Sequence, residues 1–261
     1  MSEIMRTIFL GIIQGLTEFL PVSSSGHLLL FRKLFGLAEA GLLLDTMLHL
    51  GTLLAILIIF RRDIWDMIRK PFSHLTLLVI VGTIPTAIIG LLFKDVFEDL
   101  ARTGATVGWE FLVTGFVLWF ADSSKHKGYK KIEQITFVDA IIVGVLQGMA
   151  ILPAISRSGL TIAGAFFRKI DRASAAKFSF LLSIPAIMGA VVIQVPDVME
   201  MGQAAIGYRA LAIGTLVAAV TGYLAVKWML AIIQKGSLKV FAVYVWALGV
   251  LVIIAQLLGR F

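Results

Sequence analysis

The chain contains 261 residues, of which 59% are hydrophobic and 15% are charged, and its mean hydropathy is +0.96. This composition excludes an ordinary soluble domain and predicts an integral membrane protein. The formal net charge of +7 does not predict a nucleic-acid partner, because the basic residues lie in short connections between apolar runs rather than on one basic face. Cysteine is absent, which excludes disulfides and thiolate metal sites.

In chain order, the sequence predicts two interrupted apolar regions and six continuous ones. The interrupted regions, at about 4–35 and 137–167, contain Pro, Gly and Ser clusters that leave two pieces, each too short to cross a bilayer. Irregular backbone at membrane depth is tolerated only where it is buried in protein or lines a cavity. We therefore expect each region to form a re-entrant helical hairpin or a broken helix. The continuous regions are predicted transmembrane helices, of which the third is short, at about 42–60, 73–93, 107–121, 178–195, 209–230 and 239–258.

Charges in the connections predict the orientation of the chain. Basic residues cluster at 61–70, 125–131, 168–177 and 227–239, whereas acidic residues cluster at 95–99 and 197–200. Because basic connections remain in the cytoplasm, the region 137–167 must enter and leave on the cytoplasmic side. The first hairpin then enters from the outer face and both termini lie outside, although Arg32 and Lys33 disagree with this orientation. The first residues lack the pattern of a cleaved signal peptide and are expected in the mature protein.

A shift of 133 positions reveals an internal repeat. It aligns QGLTEFLPVSSSG, residues 14–26, with QGMAILPAISRSG, residues 147–159, and the identities fall on polar and glycine positions. Each half is then a hairpin followed by three spans, over about 1–121 and 137–258, within one membrane domain of residues 1–261. An odd number of spans gives the halves opposite orientations, as in many transporters. The predicted fold is an all-α polytopic membrane protein with an inverted repeat, whose two breaks meet near the midplane.

The first break combines groups that are costly inside a membrane. Gln14 and Glu18 are four residues apart, on one face of a helix, and an ionisable residue at this depth costs about 3 kcal/mol. The following PVSSSGH is typical of a turn that starts a new helix, whose N-terminus favours an anion. Ser24 and His27 share one face of that helix and form a possible nucleophile and base. Alternatively, the serines cap the helix and His27 is a buried donor.

The second break places Arg157 at the position aligned with Ser24. The forked donors of Arg match a phosphate, and the neighbouring hydroxyls can complete an anion cradle. Those hydroxyls belong to Ser156, Ser158 and Thr161. Alternatively, Arg157 pairs with Glu18 across the repeat. Together the breaks offer a carboxylate for a hard divalent cation, a hydroxyl, an imidazole and a guanidinium, a set that fits phosphoryl transfer on an anionic substrate.

Asp45 and His49 are four residues apart in the apolar run LLLDTMLHLGTLLAIL. This spacing places them on one face of a helix. They either support the site or pair with each other.

The chain resembles the undecaprenyl-diphosphate phosphatase family of the bacterial inner membrane, also called the bacitracin-resistance family, over essentially its full length. The resemblance is carried by QGLTEFLPVSSSGH and ILPAISRSG, and further by DTMLHLGTLLAIL followed by FRRDI, and by KFSFLLSIPAIMGA. Long paired motifs of this kind are more specific than a single short pattern. One departure is Ala154, where the family usually has Gly, a residue with more backbone freedom.

The resemblance implies removal of the terminal phosphate from a C55 isoprenoid diphosphate, which returns the monophosphate carrier used in cell-wall assembly. It also implies a divalent cation, Mg²⁺ or Ca²⁺, and a homodimer. Carried over by position, Gln14 and Glu18 handle the metal or the acid–base chemistry, while Ser24 and His27 are nucleophile and base. The residues implied to bind the diphosphate are Ser23, Ser25, Ser156, Arg157, Ser158 and Thr161. A metal-bound water is an alternative to Ser24 as the attacking group.

Lipid transport is a second class of function that the sequence leaves open. A transporter or flippase of a phosphorylated polyprenyl lipid would also explain an inverted repeat, which is commoner among transporters. However, moving an anion requires Arg157 and helix termini but no nucleophile. The outward opening of the first hairpin predicts chemistry at the outer, periplasmic side of the membrane.

Overall fold

In a computed structural model, the residues described are 2–37, 41–123, 128–200 and 206–259. The regular structure within these ranges is helical, apart from one isolated bridge between Lys130 and Ile170 and one 3₁₀ turn, Ile132–Gln134. This confirms the all-α prediction. The α-helices are α1 (Glu3–Phe19), α2 (Ser24–Phe35), α3 (Gly41–Ile59), α4 (Arg61–Arg69), α5 (His74–Leu92), α6 (Lys94–Thr103), α7 (Val107–Ser123), α8 (Phe137–Met149), α9 (Arg157–Phe167), α10 (Arg172–Glu200), α11 (Tyr208–Lys235) and α12 (Lys239–Leu257).

All six continuous apolar regions are helical, and they correspond to α3, α5, α7, α10, α11 and α12. Among the described residues, four helices are long and apolar enough to cross a membrane, or up to five if the bent pair α3 and α4 forms one span. The bend between α3 and α4 is 77°. Helix α7 has 17 residues, which agrees with the expectation of a short third segment. The prediction of a multi-pass membrane protein is therefore confirmed.

The two interrupted regions are each a pair of helices joined by a short break. Residues 20–23 separate α1 from α2, and residues 150–156 separate α8 from α9, while the two helices of each pair pack together. Serine side chains begin the second helix of each pair: Ser23 accepts a hydrogen bond from Gly26 N, and Ser156 accepts one from Gly159 N. The breaks therefore occur where the Pro, Ser and Gly clusters predict them.

Helix packing is reciprocal between the two halves. Helix α1 packs on α11 and α8 packs on α5, while α3 meets both α10 and α11, and α7 pairs with α12. Small residues allow the closest approaches, as is usual between helices in membranes. A Cβ added at Gly15 would lie 1.9 Å from Thr221 Oγ1, and one at Gly144 would lie 2.0 Å from Gly82 O. The pattern agrees with two related halves, whereas their opposite orientation and the repeat boundaries 1–121 and 137–258 stay predictions.

Ion pairs join basic residues of the connections to acidic residues near helix ends. Asp139, in the first turn of α8, is fully buried and contacts Lys130 Nζ at 2.8 Å and Arg168 Nε at 2.6 Å. Asp122, near the end of α7, accepts a 2.5 Å hydrogen bond from Arg172. Because these acids are paired, the connections before α8 and before α10 are held against the helical body. Lys125, His126 and Lys127 lie outside the described residues.

Candidate active site

The two breaks lie against each other and exchange hydrogen bonds. The Ser23 hydroxyl donates to Pro153 O at 2.8 Å, and the Ser158 hydroxyl donates to Leu20 O at 3.0 Å. Ser23 has a φ of 67°, a conformation that is uncommon for a residue other than Gly. As a result, the N-termini of α2 and α9 are brought together. Ser24 and Arg157, the first residues of these helices, both contact Glu18.

Glu18 is at the centre of this region, in the last turn of α1, and is only 5% exposed. Its Oε1 accepts from the Arg157 guanidinium, and its Oε2 accepts from the Ser24 hydroxyl and from Gln14 Nε2 at 3.0 Å. The His49 Nε2 lies 3.6 Å from the same Oε2. A buried carboxylate requires such partners because desolvation otherwise disfavours its charge. The alternative in which Arg157 pairs with Glu18 is therefore realised.

Ser24 is the first residue of α2, and its hydroxyl donates to the carboxylate of Glu18. A carboxylate in hydrogen-bonding contact with a hydroxyl can accept its proton as that oxygen attacks. The predicted contact between Ser24 and His27 is replaced by this one. The group that accepts the hydrogen bond of the Ser24 hydroxyl is thus the carboxylate of Glu18, not the imidazole of His27.

His27 has both ring nitrogens engaged away from Ser24. Its Nδ1 lies 2.6 Å from Ser23 O, and because a carbonyl only accepts, this nitrogen carries the hydrogen. Its Nε2 lies 2.8 Å from the hydroxyl of Tyr244 on α12, and the two rings stack with centroids 5.7 Å apart. The expected pair of Ser24 as nucleophile and His27 as base is therefore not formed. The i+3 spacing places both residues on α2, but the imidazole of His27 turns toward α12. The geometry agrees with the alternative of a satisfied, buried histidine.

Arg157 is the first residue of α9, and its side chain is 20% exposed. Besides Glu18, its guanidinium approaches Ser183 O of α10 at 3.5 Å. A cleft beside this side chain is lined by Glu18, Phe19, Arg157, Ser158, Ser179, Phe180 and Ser183. Arg157 therefore faces a small cleft, where it meets both the carboxylate of Glu18 and a backbone carbonyl oxygen of α10.

The remaining predicted hydroxyls mostly make structural hydrogen bonds here. Ser156 caps α9, and its hydroxyl lies 3.3 Å from that of Ser158. Thr161 donates to Arg157 O at 2.8 Å and lies 2.5 Å from the Ser179 hydroxyl of α10. Ser25 is exposed. Of the residues expected to bind substrate, Arg157 and Ser158 thus line the cleft. Ser23, Ser156 and Thr161 instead hold the shape of the breaks and of the start of α9.

Several residues that line or support the site were not predicted. Ser179 and Ser183 of α10 line the cleft, and their spacing of four in KFSFLLS is a signal that could have identified them. Tyr244 carries no such local signal, because it contacts the site from a helix 217 residues away.

Asp45 and His49 do not pair through their side chains. The His49 Nδ1 donates to the backbone oxygen of Asp45 at 2.7 Å, while the carboxylate of Asp45 lies 3.2 Å from Arg32. His49 therefore directs its other nitrogen at Glu18, which agrees with the alternative of a supporting role.

The donor set near Glu18 fits a hard divalent cation. Gln14 is fully buried, and its Oε1 has no hydrogen-bond partner, while the Nε2 of the same amide donates to Glu18 Oε2. Mg²⁺ is commonly held by one or two carboxylates together with substrate phosphates. In the part of the chain that the structure describes, no group of three or more His, Asp or Glu side chains is placed to hold a metal. The residues therefore fit a cation shared with an anionic substrate, and not a closed protein site.

Ala154, the departure from the family motif, is fully buried in the second break. Among the described residues other than Gly, a positive φ is found at Ser23 and Lys169, so Ala154 adopts a conformation that any residue allows. The substitution of Gly by Ala is therefore compatible with the backbone of this break.

Comparison with known proteins places nearly the whole chain in one family. Residues 7–251 match the family model described as bacitracin resistance protein BacA. The chain is 58% identical over 252 residues to undecaprenyl-diphosphatase 4 of Bacillus thuringiensis (strain Al Hakam), covering 97% of each chain. It is 54% identical over 258 residues to undecaprenyl-diphosphatase of Carboxydothermus hydrogenoformans, covering 98% of each, and 48% identical over 254 residues to that of Halothermothrix orenii, covering 97% of this chain and 98% of the relative. The chain belongs to the bacitracin resistance protein BacA family.

Proposed function

We propose that the protein is an integral membrane phosphatase that hydrolyses undecaprenyl diphosphate to undecaprenyl phosphate and inorganic phosphate, and so recycles the lipid carrier of cell-wall synthesis. Family membership and the names of the relatives support this activity. One observation carries the proposal at the level of chemistry. A buried carboxylate, Glu18, contacts both the hydroxyl of Ser24, the proposed nucleophile, and the guanidinium of Arg157, the proposed phosphate ligand.

Substrate binding is proposed to begin with an exchange of partners at Arg157. The planar guanidinium forms parallel hydrogen bonds with a phosphate as readily as with a carboxylate. A diphosphate that enters the cleft beside Ser179 and Ser183 competes with Glu18 for Arg157. The exchange binds the substrate and releases Glu18 to act on Ser24.

The chemical step is proposed to be attack by the Ser24 oxygen on the terminal phosphorus. Glu18 accepts the hydroxyl proton, the bond from phosphorus to the bridging oxygen breaks, and undecaprenyl phosphate leaves. Water then attacks the phosphoserine, which releases inorganic phosphate and restores Ser24. Direct attack by water, with Glu18 as base, gives the same products without a covalent intermediate. Arg157 stabilises the charge that develops on the phosphoryl oxygens in either case.

A divalent cation, Mg²⁺ or Ca²⁺, is proposed to be held by Gln14 Oε1 and the carboxylate of Glu18. When bound, it would neutralise charge on the diphosphate oxygens. The unpartnered oxygen of Gln14 supports this assignment.

A homodimer in the bacterial inner membrane, with the site open to the periplasmic side and both termini outside, is proposed from the connection charges and the family resemblance. A reporter fused after α12 should therefore be active outside the cytoplasm. Activity inside the cytoplasm would overturn the proposed orientation.

The function is tested by phosphate release from a polyprenyl diphosphate by the purified protein in detergent, with and without a chelator. The proposal predicts chelator-sensitive release of one phosphate per lipid. Lipid binding without release would instead support the alternative of a transporter or flippase for a phosphorylated polyprenyl lipid.

A further inference from the structure

We infer that Glu110 and Thr114 of α7 are positioning residues for the reaction, which hold the second break so that Arg157 is aimed at the diphosphate. The inference rests on the proposed phosphatase function. Both side chains are buried, with Glu110 only 5% exposed and Thr114 fully covered. Neither contacts the cleft, and neither belongs to the motifs of the two breaks. Glu110 lies in the first turn of α7, so a buried carboxylic acid at this helix start has a use outside the chemistry itself.

The two side chains bind the backbone of the break directly. Glu110 Oε2 accepts a hydrogen bond from Ala154 N at 2.6 Å. The Thr114 hydroxyl accepts from Ser156 N at 3.1 Å and donates to Ala154 O at 3.2 Å. Glu110 and Thr114 are four residues apart, so one face of α7 holds three backbone groups of the break.

These contacts are placed to control the direction of Arg157. Residues in a helix break have no ladder partners, so their path is set by side chains that satisfy their backbone groups. Ser156 is the N-cap of α9 and Arg157 is the next residue. A break that loses its contacts with α7 can shift or rotate the start of α9, which changes where the guanidinium points.

Helix α7 and the second break also contact the start of α2, which carries Ser24, the proposed nucleophile. A Cβ built at Gly26 of α2 would lie 3.0 Å from the Cβ of Ala154 and 2.7 Å from the ring of Phe111, so these groups already touch the first turn of α2. Phe111 follows Glu110 on α7 and also contacts the ring of His27. Helix α7 therefore supports the beginnings of both half-helices that carry Ser24 and Arg157.

Glu110→Gln and Glu110→Leu distinguish positioning from an effect of charge. Gln keeps a carbonyl oxygen for Ala154 N, and its amide can donate to the Thr106 hydroxyl, which now donates to Glu110 Oε1 at 2.5 Å. Leu keeps the volume but leaves Ala154 N without an acceptor. We expect kcat/KM for a polyprenyl diphosphate to fall at least tenfold in Glu110→Leu, chiefly through KM, and to stay within threefold in Glu110→Gln. Thr114→Val removes the hydroxyl and Thr114→Ser keeps it, so these two variants are the corresponding pair at position 114.

Val107→Ala is the folding control, because Val107 is fully buried in α7 and its side chain has no group that can hydrogen-bond to the break. Melting temperature in detergent is measured for every variant. Positioning is refuted if Glu110→Gln loses as much activity as Glu110→Leu, or if Val107→Ala loses activity equally at the same melting temperature. It is also refuted if Glu110→Leu turns over normally.

A binding measurement separates failure of this inference from failure of the proposed function. The dissociation constant of a polyprenyl methylenediphosphonate, which cannot be hydrolysed, is measured for the same variants. Glu110→Leu should weaken binding at least tenfold, even if the wild-type protein proves to be a lipid carrier without phosphatase activity. Equal affinity of wild type and Glu110→Leu refutes the positioning role in either case.

Discussion

Replacing Arg157 with Ala removes both its contact with Glu18 and its proposed contact with the substrate, and the two losses have different readouts. Glu18 is buried, so the single change leaves a carboxylate without its cation, and breaking a buried ion pair costs about 3 to 5 kcal/mol. Ser24 and Gln14 still donate to this carboxylate, and the Arg157 side chain is 20% exposed, which favours the lower end. We expect a loss of about 3 kcal/mol in the free energy of unfolding.

The effect on turnover should be larger than the effect on folding explains. A charge-assisted hydrogen bond contributes about 1.5 to 3 kcal/mol, so two parallel bonds to a phosphate contribute about 3 to 6 kcal/mol. At about 1.4 kcal/mol per tenfold, kcat/KM should fall by a factor of about 10² to 10⁴ in Arg157→Ala. Arg157→Lys keeps the charge without the forked donors and should lie between the wild type and Ala.

The double variant Arg157→Ala with Glu18→Gln completes the experiment. Removing the orphaned carboxylate should return at least about 1 kcal/mol of stability without restoring turnover. Stability is measured by denaturation in detergent micelles, and turnover by phosphate release. Near-normal kcat/KM in Arg157→Ala would refute the phosphate-binding role, and equal stability of the single and double variants would refute the importance of the ion pair.

Three further predictions follow from the same geometry. Ser24→Ala should slow single-turnover phosphate release by several orders of magnitude if Ser24 is the nucleophile, whereas a loss of only a few-fold would indicate attack by water. Tyr244→Phe should reduce kcat less than tenfold, because the Tyr244 hydroxyl contacts His27 rather than the carboxylate–serine pair; a loss as large as that of Ser24→Ala would restore His27 to a direct role. Gly144→Ala should lower the melting temperature markedly, since its Cβ would lie 2.0 Å from Gly82 O, and an unchanged melting temperature would contradict the close packing of α8 on α5.

The fold class and the identities of the central residues could be predicted from the sequence because both depend on local patterns. Apolar runs interrupted by Pro, Ser and Gly gave the helices and the two breaks. The repeat then indicated that Glu18, Ser24 and Arg157 belong together, and the structure places them in contact. Each of these inferences required only spacing along one segment or an alignment of two.

The partners of those residues could not be predicted in the same way, because they come from helices far away in sequence. The ring of His27 is turned by Ser23 O and by Tyr244, so its i+3 spacing from Ser24 was not sufficient to predict a contact. Similarly, nothing in the motif PAISRSG indicates that Glu110 accepts a hydrogen bond from its backbone. Such contacts depend on the packing of α7 and α12, which local periodicity does not encode.

The most direct test of the proposed chemistry is to follow a labelled polyprenyl diphosphate with the purified protein and to identify the lipid product, for wild type and for Glu18→Gln. We expect one lipid monophosphate and one inorganic phosphate per substrate, with a rate at least about 10³-fold lower in Glu18→Gln, because the acceptor of the Ser24 proton is lost. An unchanged lipid diphosphate with the wild-type protein would contradict the proposed chemistry, as would undiminished turnover by Glu18→Gln.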